Sequence, residues 1–214
     1  MRRNAPTILA LLLIVATATA FAVTQRLKLE PSPISQTHVD KVFSPVCECA
    51  TDKANIDFSL RSADHLRVAI RIDGREVTIA NGEFPKGSVR VRWNGRDASG
   101  AVVPDGVYFA VVHMQRLQRT IDLPNPIRID TQGPMITLLG VQTMGRKTLF
   151  LYRTSEPAHA LLFVNGRRRV RTYSTRRHGR LPWFGKPSTS KRLVLEAEDL
   201  AGNRSLPVQI HSFR

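Results

Sequence analysis

Residues 65–73 read HLRVAIRID. Leu66, Val68, Ile70 and Ile72 fall on one face of an extended chain and Arg67, Arg71 and Asp73 on the other, the period of a strand with one buried side. Asp73 and Gly74 then supply a hairpin turn. Residues 88–93 (SVRVRW) repeat the pattern, with Val89, Val91 and Trp93 inward and Arg90 and Arg92 outward. The apolar run at 107–114 (VYFAVVHM) predicts a strand that could be covered on both sides. Turn pairs recur at Asn81 and Gly82, Asn94 and Gly95, Ser99 and Gly100, and Asp105 and Gly106. Short strands at this spacing, with no helical period beyond Val23, predict a β-sandwich.

Residues 130–134 (DTQGP) read as a boundary, because Gly133 and Pro134 interrupt pairing and a second strand-rich set starts at Met135. Strands are expected at 147–154, 158–164, 192–198 and 206–213, with a turn at Asn165 and Gly166. Each unit is long enough for a seven-stranded sandwich. Ahead of them, Pro31 and Pro33 predict a short extended spacer at 31–37. The organisation expected is therefore a helix with its flanks at 1–30, the spacer, a first sandwich at 38–130 and a second at 131–214.

After Met1 come Arg2 and Arg3, then an uncharged run from residue 5 to residue 23, then Arg26, Lys28 and Glu30. This is the layout of an export segment. Alanines at 16, 18, 20 and 22 offer small-x-small cleavage patterns, which would release a secreted chain beginning after Ala18, Ala20 or Ala22. At about 1.5 Å of rise per residue, the uncharged run also just crosses a hydrocarbon layer of roughly 30 Å. The anchor is favoured, because Phe21 and Val23 extend the run past the alanines and the basic pair then closes it at an interface. The terminal amine tips the charge count towards an inside N-terminus, leaving the rest of the chain outside the cytoplasmic membrane.

The formal charge is +15, so anionic partners are expected. It is divided unevenly: residues 31–130 carry 13 Lys and Arg against 12 Asp and Glu, whereas residues 131–214 carry 15 against 4. Arg167, Arg168, Arg169, Arg171, Arg176, Arg177 and Arg180 crowd into one stretch beside Tyr173 and His178. The stretch reads as a solvated loop, as a surface for anionic wall polymer or lipid headgroups, or as a nucleic-acid contact; guanidinium groups suit bidentate phosphate binding. Nucleic acid is disfavoured, since an exported chain seldom meets it.

Residues 93–108 (WNGRDASGAVVPDGVY) resemble the most characteristic segment of the immunoglobulin-like module of the flagellar hook-capping protein FlgD and of secreted proteases of the Vpr type. Trp93 ends a strand in the core, Gly95, Asp97 and Gly100 shape turns, Pro104 and Gly106 frame another, and Tyr108 starts the return strand. The segments VFSP at 42–45 and NIDFSL at 55–60 look like the start of that module, with Cys47, Glu48 and Cys49 standing where relatives often carry an Asn/Asp/Gly-rich loop. The second unit, through Glu156, Pro157 and the EDLAGN run at 198–203, is similar to bacterial immunoglobulin-like repeats. The resemblance implies an all-β chain of two tandem immunoglobulin-like β-sandwiches behind an N-terminal transmembrane or signal helix. Such modules serve as spacers, adhesive units or assembly scaffolds.

Cys47 and Cys49 are the only cysteines. A local disulfide is favoured and needs the backbone to turn at Glu48; free thiols, a redox couple, or a metal site with His38 are the alternatives. The other histidines are scattered and complete no ligand set, so no metal and no cofactor is assigned. None of the G-x-S-x-G, P-loop or H-E-x-x-H patterns occurs. Asp97 and Asp105 read as turn residues, and Asn203, in an Asn-Arg-Ser triplet, reads as part of a hairpin rather than a glycosylation acceptor. The expectation is a non-enzymatic, membrane-anchored display, adhesion or binding module whose basic unit holds an anionic envelope polymer or envelope protein. The alternatives are a scaffold or cap subunit of an envelope or flagellar-type assembly and, were the sandwiches cytoplasmic, a nucleic-acid binder. No oligomeric state is assigned.

Overall fold

The computed structural model describes residues 5–29, 31–188 and 191–211. Arg2, Arg3 and Glu30, which frame the export-type run, and Phe213, read as the end of the last strand, lie outside them. A helix, α1 (Ala5–Leu29), precedes a chain that is mostly β. Among the described residues no helix is long and apolar enough to cross a membrane.

The first sandwich is built from β1 (Ile34–Val39), β2 (Val42–Phe43), β3 (Ala54–Leu60), β4 (Asp64–Ile72), β5 (Arg75–Phe84), β6 (Gly87–Trp93), β7 (Gly106–Met114), β8 (Arg119–Asp122) and β9 (Ile127–Ile129). One sheet runs β1-β3-β6; the other runs β2-β9-β7-β4-β5, with β8 on β7. Strict alternation in β3 buries Ala54, Ile56, Phe58 and Leu60 against Leu66, Val68 and Ile70 of β4, because successive side chains of a strand point to opposite faces. Trp93 seals one end of this core, edge-on to Phe43 at 5.5 Å and to Tyr108 at 5.3 Å.

The second sandwich comprises β10 (Ile136–Met144), β11 (Lys147–Val164), β12 (Arg167–Arg171), β13 (Arg176–Phe184), β14 (Leu193–Glu198) and β15 (Val208–Ile210). Its organising element is β11. The first part of β11 pairs with β10 and β13, and the part from His159 onward pairs with β12 and β14. The strand changes sheets at a bend in which the Thr154 hydroxyl donates to the carbonyls of Glu156 (2.6 Å) and Arg176 (3.0 Å). Pro157 has no N–H to demand a ladder partner there. Phe150 and Tyr152 before the bend and Leu162 after it thus enter one core with Leu181 and Leu195.

Several expectations need correction. The spacer is shorter than residues 31–37, because Ile34 is buried and opens β1 by pairing with Leu60. Asn81 and Gly82 do not turn the chain: they lie inside β5 opposite Arg67 and Leu66, where a register shift between Val68 and Ala69 absorbs the extra residue. β7 is covered on both sides only in its second half; Val107 and Phe109 face solvent. Among the described residues the first sandwich has nine strands and the second six. The arginine stretch is not a loop but two strands, β12 and β13.

The registers define the poles of the molecule. Ile34, Leu60 and Gly87 align at the end of the first sandwich where α1 enters, and Ala54 and Trp93 mark the opposite end. From that opposite end Asp130 leaves, its N–H held by the Phe43 carbonyl at 3.2 Å. The second sandwich begins beside Ser155, whose N–H donates to the Met135 carbonyl at 3.0 Å. Its far end gathers Met144, Lys147 and Phe184, which are adjacent in register, and Asn165 with Arg192, joined by two hydrogen bonds of 2.9 Å. The sandwiches stand end to end, with α1 at one pole and these turns at the other.

Candidate functional site

The 93–108 segment is a self-bonded knot of turns. Trp93 Nε1–H donates to the Arg96 carbonyl (3.1 Å), and the Asp97 carboxylate accepts from the Ser99 hydroxyl (2.6 Å), the Ser99 N–H (2.9 Å) and the Ala101 N–H (3.0 Å). These donors, the Ser99 hydroxyl foremost, hold the Asp97 carboxyl below its usual range. Gly95, at φ 69°, lies so close to Pro45 that an added Cβ would sit 2.9 Å from that ring. The Tyr108 hydroxyl donates to the Pro104 carbonyl at 2.6 Å, and burial pushes its pKa up. Each of these polar groups is bonded within its own turn, the Ser99 hydroxyl included.

The junction was missed by sequence reasoning. Cys47 and Cys49 are joined by a disulfide with Cα atoms 5.2 Å apart, the chain turning through positive φ (49°) at Glu48. The Cys49 sulfur lies 3.1 Å from the Thr51 hydroxyl, which donates across the domain boundary to the Ala201 carbonyl at 2.7 Å. Gly202 packs against this corner: an added Cβ would lie 2.5 Å from Thr51 Oγ1 and nearer still to Cys49 Sγ. Buried Asn203 sends its amide to the Asp130 carbonyl (2.8 Å) and to Asp199 Oδ2 (2.9 Å), pinning the linker to the EDLAGN turn. An added Cβ on Gly133 would strike the Arg204 carbonyl. With its amide so engaged, Asn203 is no acceptor for a glycan in the folded chain. The signal lay in the small residues Ala201 and Gly202, whose partner on the first sandwich only tertiary structure supplies.

Asp130, Glu156 and Asp199 meet at the same junction, each offering a carboxylate oxygen within 4.8 Å of the others. This is the one such group among the described residues, and His38 joins neither it nor the cysteines. Its oxygens are largely spent inside the protein: Asp130 receives Arg128 Nη2 (3.2 Å) and the Gln132 N–H (3.2 Å), and Asp199 receives the Asn203 N–H (2.9 Å) and its amide. Burial, reinforced by the neighbouring carboxylates, pushes the Glu156 and Asp199 pKa values up.

The fold divides the arginine stretch. Arg167, beside the turn at Asn165 and Gly166, lies at the far end of the second sandwich, and Arg171 lies back along β12, where it meets Glu198 at 3.1 Å. Arg176 stands opposite Ala158 near the junction end, its Nε donating to Ser174 Oγ at 3.2 Å, with Arg177 next to it. Arg180 faces Leu151 midway, and Tyr173 is fully exposed. Arg167, Arg168, Arg169 and Arg180 make no ion pair among the described residues. The first sandwich differs: Arg67 pairs with Glu76 (3.0 Å), Arg71 with Asp122 (3.0 Å), Arg90 with Asp57 (2.6 Å) and Arg116 with Glu83 (2.8 Å). Arg75, Arg92 and Arg96 of the first sandwich also lack an ion pair among the described residues, so what sets the second sandwich apart is its excess of Lys and Arg over Asp and Glu, 15 against 4 where residues 31–130 carry 13 against 12.

No family model and no curated protein matches the chain. Solved structures of sandwich modules do. The Clostridium thermocellum CbhA fibronectin(III)-like modules align over 81% of this chain and 91% of their own at 14% identity and a TM-score of 0.42. The YadV chaperone aligns over 84% of this chain and 100% of its own at 10% identity and a TM-score of 0.34. A bacterial ice-binding adhesin aligns over 81% of this chain and 61% of its own at 14% identity and a TM-score of 0.31. All three alignments lie under 25% identity and under a TM-score of 0.5.

Proposed function

We propose that the chain is a non-catalytic, membrane-anchored extracytoplasmic module whose second sandwich binds an anionic component of the cell envelope. The observation that carries this is the charge contrast between the sandwiches: residues 31–130 carry 13 Lys and Arg against 12 Asp and Glu, and residues 131–214 carry 15 against 4. Anchoring through α1 is supported by its surface: Leu11, Leu12, Leu13, Ile14, Val15 and Phe21 are all exposed, an apolar surface that water does not favour. The Thr17 and Thr19 hydroxyls are satisfied within the helix, Thr17 donating to the Leu13 carbonyl (2.9 Å) and Thr19 to that of Val15 (2.7 Å), as a lipid environment requires. The self-bonded 93–108 turns support placing the first sandwich with the FlgD/Vpr-type modules.

The test is binding of inorganic polyphosphate by the full chain at increasing salt. Neutralising Arg167, Arg168 and Arg169 to Gln is expected to weaken binding and flatten its salt dependence. The same treatment of Arg75, Arg92 and Arg96 on the first sandwich is expected to change little. Equal losses from the two sets would sink the proposal.

A further inference from the structure

The far end of the second sandwich combines two features that charge alone does not account for. Met144, 57% exposed, stands at the tip of the β10–β11 hairpin, and Phe184, 81% exposed, ends β13. The two flank Lys147, which pairs with both in register. Arg146 and Lys147 follow Met144 in the chain and Lys186 follows Phe184; Lys147 Nζ lies 5.9 Å from the Phe184 ring centre, and Lys191 Nζ lies 5.5 Å from that of Trp183. Residues 157–195 contain no Asp or Glu. A soluble polyanion needs only the cations. Two large apolar side chains at the tips of neighbouring connections, ringed by ammonium and guanidinium groups, match an interface where hydrocarbon lies just beneath phosphate.

We propose that this end docks onto an anionic lipid surface, Met144 and Phe184 entering the acyl boundary while the surrounding cations meet headgroup phosphates. The proposal rests on the reading that the second sandwich binds an anionic envelope component, and it names that component as a bilayer.

The test holds the full chain through α1 in phosphatidylcholine nanodiscs and passes these over immobilised vesicles of phosphatidylcholine alone or mixed with phosphatidylglycerol. Wild type is expected to be retained on the anionic vesicles at least about tenfold better than on the neutral ones. M144S/F184S is expected to lose about tenfold of that retention with unchanged circular dichroism and melting, since both side chains are exposed. A second variant, R146E/K186E, keeps the apolar pair and is expected to abolish the preference for phosphatidylglycerol. Retention of M144S/F184S equal to wild type would overturn the lipid inference. So would binding of soluble polyphosphate without retention on anionic vesicles, which would leave the proposed function standing; binding to neither would remove both.

Discussion

Gly202 tests whether the junction is a packed interface. Replacing it with Ala adds a Cβ at φ +93°, 2.5 Å from Thr51 Oγ1 and closer to Cys49 Sγ. The left-handed backbone costs about 1–2 kcal/mol for a residue with a Cβ. The contact adds about 1–3 kcal/mol of overpacking, because the disulfide fixes Cys49 Sγ and no rotamer change removes it. The two sandwiches have a choice: absorb both costs, or separate and lose the Thr51 to Ala201 hydrogen bond, about 1 kcal/mol. Gly166→Ala is the control, since Gly166 has φ +77° and nothing within 4 Å of an added Cβ; it bears the backbone cost alone. Calorimetry is expected to show Gly166→Ala lowering the melting of the second sandwich by about 5–15 °C, and Gly202→Ala doing so by at least as much. X-ray scattering should show a longer, less uniform particle for Gly202→Ala only. Equal scattering profiles from the two variants would refute the packed junction.

Other outcomes follow from the same geometry. The disulfide closes so short a loop that reducing it, or Cys47→Ser with Cys49→Ser, should cost the first sandwich only about 1–2 kcal/mol, while the Thr51 corner loosens; faster amide exchange at Ala201 to Asn203 checks this. Tyr108→Phe removes the bond to the Pro104 carbonyl and should cost about 1 kcal/mol, read as a fall of about 4–8 °C in the melting of the first sandwich. The Glu156 carboxyl, raised by burial and by Asp130 and Asp199, binds its proton more tightly folded than unfolded. Stability it withholds at neutral pH is therefore regained as pH falls through its folded pKa towards its unfolded one. Glu156→Gln should accordingly raise the melting temperature at pH 7 and lose that advantage in acid; a constant difference across pH would contradict the carboxylate crowding.

The alternation at 65–73 and 88–93 made β4 and β6 legible, since a half-buried strand writes its face into every second residue. β12 and β13 were not, for the same reason in reverse. In RRRVR only Val170 is even partly buried, and in 176–184 Leu181 alone is fully buried, so neither segment carries an apolar period. They are strands because β11 offers backbone partners, a tertiary fact. Asn81 and Gly82 misled because the pair favours a turn only where the chain is free to fold back, and here β4 holds both in register. The cysteines were visible as a pair; the surface they press against was not, because Gly202 lies 153 residues further along the chain.

The direction in which each sandwich receives the chain also decides how the module bears load. β1 starts at the pole joined to α1 and runs inward along β3, and β10 starts at the junction and runs outward along β11. A pull between the two poles therefore acts along both strands, across ladders whose hydrogen bonds lie perpendicular to it. Those bonds share the tension together instead of opening one by one. A tether built this way yields late and all at once, holding its length up to the force at which a whole strand slides.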